Sequence, residues 1–128
     1  MRSTLRIVAI LLGVGFTLQG GAWLVVPERA AAGLGMPALD GLARSTQFGD
    51  FAAFFLTLGA TTLTGLGLGR PRLLYVPAGM LAGAALCRSI AWAAHGAAFA
   101  AMFIAVEIAA SLVLLATAST SSADRRVG

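Results

Sequence analysis

Apolar residues do not alternate with polar ones along this chain; they run in four long blocks separated by short polar punctuation. The first block covers residues 5–26 and is closed by Pro27-Glu28-Arg29. The second opens near Gln47 and closes near Leu68, ahead of Gly69-Arg70-Pro71-Arg72; the third covers 73–94 and the fourth 97–118. Each holds about 20 residues, the helical length that crosses ~30 Å of hydrocarbon. The pattern predicts an all-α chain, a transmembrane four-helix antiparallel bundle forming a single membrane domain over residues 1–128, with a flexible tail over 119–128. Only His95-Gly96 separates the last two blocks, which read as a tight hairpin. The one long connection, over 27–46, reads as a short helix at the interface. Pro27 suits its first position, Glu28 its first turn, and Gly33, Gly35 and Pro37 its end, with a turn at Asp40-Gly41.

Composition identifies the solvent. Apolar residues make up 59% and charged residues 11% of the chain, against about 25% charged in an ordinary soluble domain. A soluble fold is excluded, and so is disorder, which needs low hydrophobicity and high charge. The net charge of +4 comes from nine arginines and no lysine, placed singly or in pairs at block ends. That is a topology signal rather than a phosphate-binding surface, and no nucleic-acid partner is expected. Arg2, Arg6, Arg70, Arg72, Arg125 and Arg126 share one side; only Arg29 and Arg44 lie on the other. The excess puts both termini in the cytoplasm of a multi-pass protein of the cell (inner) membrane. Trp23 and Trp92 then fall near the outer boundary and Tyr75 near the inner one. Arg2 and Arg6 ahead of an apolar run also resemble a secretory signal. A run of about 20 residues exceeds the 7–15 of a signal core, so a retained first helix is expected.

Polar side chains inside the blocks carry the candidate chemistry, because charge in hydrocarbon costs several kcal/mol unless partnered. Asp50, Arg88 and Glu107 are the three charges. At ~1.5 Å per residue, Asp50 lies about one turn below the outer face, Arg88 about 9 Å, Glu107 about 15 Å and Gln19 about 10 Å. Every block thus contributes a polar group to the outer half. Gln47, Asp50, Thr57, Thr61 and Thr64 share a stripe; Glu107 and Ser111 stack one turn apart; Arg88 follows Leu81 and Ala84 on one face. Arg88 facing inward would bridge Asp50 and Glu107, with Arg44 at the lip as the second cation. The candidate ligand-binding cluster is therefore Arg44, Asp50, Arg88, Glu107 and Gln19. Three roles are open to it: a structural ion pair that sets helix register, a site for a small apolar molecule or lipid headgroup, and proton handling. The threonines are expected to bond back to their own helix.

No catalytic, cofactor or metal motif occurs, and one Cys with one His does not make a zinc site. Cys87 reads as a packing residue and His95 as a surface imidazole. Gly79 and Gly83 form a small-xxx-small step on the face opposite Arg88, a candidate contact with another helix. Expected partners are the lipid bilayer and either a second copy or a larger membrane complex. The favoured role is a non-catalytic subunit or a small-ligand or lipid-binding module. The alternative is a small membrane enzyme or transporter that uses Glu107 as proton acceptor.

The run Arg44-Ser45-Thr46-Gln47-Phe48-Gly49-Asp50, the step Cys87-Arg88-Ser89 and Glu107 together resemble a bacterial domain-of-unknown-function family of small four-helix integral membrane proteins. The resemblance covers residues 5–118. It implies a four-helix membrane bundle with Arg44, Arg88 and Glu107 as signature polar residues, and it implies no activity. Asp50 stands where that family more often has a small residue, and Cys87 where it commonly has Gly.

Overall fold

The computed structural model describes residues 1–123. The chain is all-helical: α1 (Arg2–Val25), α2 (Pro27–Gly33), α3 (Gly41–Gly67), a 3-10 turn (Pro71–Leu74), α4 (Tyr75–His95) and α5 (Ala101–Ala123). No strand occurs among the described residues. Arg2–Val25, Pro71–His95 and Ala101–Ser121 are long and apolar enough to cross a membrane. α3 is long enough, but Asp50 and five threonines dilute its apolar content. Leu11 and Leu18 are 64% and 68% exposed, an apolar exterior that suits lipid and would be a liability in water.

The element boundaries have local causes. α1 stops at Val25 because residues preceding proline are pushed out of the helical region, and Pro27 then opens α2 at its first position. Gly35, at φ 74°, reverses the chain after α2. α3 then begins at Gly41 rather than near Gln47. No residue between Arg44 and Gln47 breaks a helix, so the helix extends past the point where its apolar content starts. Gln47 therefore lies in the second turn of α3 rather than at its start. It is buried, its Oε1 accepts from the Leu39 N–H at 2.9 Å, and its Nε2 donates to the Pro37 carbonyl at 3.0 Å. One amide thus ties the connection between α2 and α3 to α3 itself.

The hairpin expected at His95-Gly96 is longer than two residues. Gly96, at φ 67°, closes α4, with the Ala97 N–H returning to the Ala91 carbonyl at 3.2 Å. This is the left-handed C-cap that glycine favours. Residues 96–100 then connect to α5, steadied by the Trp92–Phe99 ring contact at 5.0 Å. α5 also continues beyond residue 118 into the segment read as tail, where the Thr120 hydroxyl bonds back to the Ala116 carbonyl at 2.9 Å. Residues 124–128 of the expected tail lie outside the described residues.

α1 pairs most extensively with α3, and α4 with α5. Glycine makes the first pairing close. A Cβ on Gly20 would stand 2.7 Å from Leu56 Cγ, and one on Gly59 would stand 2.8 Å from the Thr17 backbone nitrogen. Near the α2 end, Trp23 is fully buried and stacks on Phe51 at 4.8 Å, with Ala30 and Ala31 of α2 packed beside it. At the other end Leu58, Leu74 and Leu114 form a second core.

Candidate functional site

Between these two cores the helices leave space. A cavity of about 850 Å³ is bordered by α1, α2, α3, α4 and α5. Phe16, Phe51, Phe54, Phe55 and Phe103 contribute aromatic surface to its wall, and five polar residues line it: Gln19, Arg29, Asp50, Arg88 and Glu107. The volume lies in the upper part of the roughly 300–1,000 Å³ range of small-molecule sites, which share this composition of apolar wall and few polar groups.

The best-defined contact is between α4 and α5. Arg88 Nε donates to Glu107 Oε1 at 2.8 Å, and the Arg88 guanidinium carbon lies 5.0 Å from the Phe103 ring centroid. Phe103, Glu107 and Ser111 occupy successive turns of α5, and all three meet α4. The Ser111 hydroxyl donates to the Ala78 carbonyl at 2.9 Å. Leu81 and Ala84 line the cavity with Arg88, as their shared phase predicts. Burial is asymmetric: the Glu107 side chain is 11% exposed and that of Arg88 33%. Glu107 Oε2 is buried and has no hydrogen-bond partner among the described residues. The carboxylate is thus the enclosed member of the pair, and the guanidinium keeps an open edge.

Two members of the expected cluster behave differently. Arg44 is not at the cavity; it pairs with Glu28 of α2 and lies over Phe48 at 5.0 Å. It belongs to the same helix as Asp50 but sits six residues earlier, which turns it about 120° away around α3. Asp50 does line the cavity, yet Arg88 does not bridge it to Glu107. Asp50 is exposed and has no ion-pair or hydrogen-bond partner among the described residues. The earlier start of α3 puts Asp50 about 13 Å along its helix from Gly41. Gln19 is half-buried in the cavity wall. The threonine stripe does not enter the site: Thr57 and Thr64 are exposed, and Thr61 donates to the Thr57 carbonyl at 2.6 Å.

Arg29 was missed by sequence reasoning. It lies on α2, reaches the cavity, and like Asp50 has no partner among the described residues. Sequence offered only its charge on a connecting segment. The aromatic wall was also missed, although Phe51, Phe54 and Phe55 have the spacing of one helical face. Gly79 is exposed and Gly83 half-buried, and a Cβ on either would meet nothing within 4 Å, so this stripe faces away from the site. Cys87 and His95 are exposed and do not border the cavity. Comparison with family models, with curated proteins and with solved structures finds no match to this chain.

Proposed function

We propose that this protein is a four-helix antiparallel bundle of the bacterial inner membrane that acts as a non-catalytic binding module for a small amphipathic molecule. The single observation that carries this reading is the cavity of about 850 Å³ with an aromatic body and the Arg88–Glu107 pair in its wall. A pair serving only to set helix register needs no such space beside it. α3 is the fourth span of this reading. It runs against α1 over much of its length, and Thr61 satisfies its hydroxyl on its own backbone as threonines in membrane helices do. The arginine count orients both termini to the cytoplasm and the α2 connection outward. The resemblance to the family of small four-helix membrane proteins belongs to the same proposal.

Mass-spectrometric lipid analysis of the purified chain tests it. Ala84 lines the cavity and Gly15 has open space where a Cβ would stand, so Ala84→Trp and Gly15→Trp fill the cavity from two helices. A copurifying amphiphile should be present with the wild-type chain and lost from both variants. Equal retention by folded variants would sink the binding role.

The unpartnered Oε2 of Glu107 favours one second reading, proton acceptance in a transport or catalytic cycle. Glu107→Gln separates the two. Its amide oxygen still accepts from Arg88, so amphiphile binding should persist, whereas a proton-coupled flux in liposomes would disappear.

A further inference from the structure

Arg29 and Asp50 are oppositely charged, border the same cavity from α2 and α3, and have no partner among the described residues. The other two charges at the cavity, Arg88 and Glu107, already pair with each other. What the cavity presents to a ligand is therefore one available cation from α2 and one available anion from α3, with no net charge between them. We infer that the ligand is a phospholipid with a zwitterionic headgroup, its phosphate at Arg29 and its ammonium at Asp50. This rests on the binding role proposed above and names the headgroup class.

The alternatives fit the charges less well. An anionic headgroup without an ammonium sets its charge beside Asp50 and leaves that carboxylate unpaired. A cationic amphiphile meets the same problem at Arg29. A diacylglycerol leaves both charges without partners. A phosphate–ammonium headgroup satisfies both, each through a charge-assisted hydrogen bond. The rest of the wall agrees with a glycerolipid. Its ester carbonyls accept hydrogen bonds only, and Gln19 and the open edge of Arg88 are further donors in the cavity wall. The phenylalanines of α3 offer an acyl chain an apolar surface.

Native mass spectrometry of the full chain in detergent, titrated with phosphatidylethanolamine, phosphatidylglycerol and diacylglycerol of identical acyl chains, tests the assignment. Both side chains are exposed, so Asp50→Asn and Arg29→Gln leave the fold intact. The wild-type chain should prefer phosphatidylethanolamine over the other two by about tenfold. Asp50→Asn should erase its advantage over phosphatidylglycerol, and Arg29→Gln should bring both phospholipids down to the diacylglycerol level. Equal binding of the two phospholipids, or a preference that survives Asp50→Asn, overturns the headgroup assignment; if Ala84→Trp still lowers all three lipids, the binding role stands without it. Lipid binding indifferent to Ala84→Trp overturns both.

Discussion

Replacing Arg88 by alanine leaves the Glu107 carboxylate in a site where its side chain is 11% exposed and Oε2 already has no partner. Breaking a buried ion pair from one side typically costs ~3–5 kcal/mol, because the remaining charge is left uncompensated. The reverse substitution is milder. Arg88 is one-third exposed and lies over Phe103, so without Glu107 its long side chain reaches outward to polar surroundings, and Glu107→Ala should cost about 1–2 kcal/mol. The double variant removes both charges and should cost less than Arg88→Ala alone, since a charge-free site is often close to neutral. Asp50→Asn, at an exposed and unpaired position, should stay within about 0.5 kcal/mol of wild type. Thermal unfolding of the four variants and the wild type in one detergent gives the coupling energy from the double-mutant cycle. Losses that simply add, or a larger loss for Glu107→Ala than for Arg88→Ala, would refute this account of which partner is enclosed.

Packing at the α1–α3 seam predicts a contrast between glycines. Gly59→Val forces a side chain against the Thr17 and Gly13 backbones and should prevent folding, whereas Gly15→Val should be tolerated; yield and monodispersity in detergent report both. Gln47→Ala unties Leu39 and Pro37 from α3, and amide exchange at Leu39 should quicken by about tenfold with little change elsewhere, as loss of ~1–2 kcal/mol of local hydrogen bonding implies. Gly79→Ile with Gly83→Ile fills an outward surface where a Cβ meets nothing. It should weaken association with a second copy or a larger complex while leaving the monomer folded, and unchanged crosslinking would count against an interface there.

The Arg88–Glu107 pair was legible in the sequence because charges inside apolar runs have few places to go, and helical phase with Leu81 and Ala84 aimed Arg88 inward. The outward face of Gly79 followed from the same phase. Apolar content does not show where α3 begins, and so does not place Arg44. Helix formation does not wait for an apolar run, so α3 begins six residues before Gln47, and Arg44 pairs with Glu28 of α2. The role of Gln47 depends on the same early start, which brings its amide to Leu39 and Pro37. Arg29 could not have been placed, since its position depends on how α2 folds back over the cavity. The cavity itself is a deficit of packing volume among five helices, and no periodicity encodes that. The glycine seam left a weak trace: Gly13 and Gly20 are seven residues apart, on one face of α1.

A lipid held between the five helices would be captured by photocrosslinking. A phosphatidylethanolamine with a diazirine in its acyl chain would be irradiated with the full chain in bilayers, and its adducts mapped by peptide mass spectrometry. Adducts should concentrate on Phe51, Phe54 and Phe103, which line the cavity, and be lost in Ala84→Trp. Adducts spread only over outward residues such as Leu11 and Leu18, unchanged in that variant, would contradict a lipid held there.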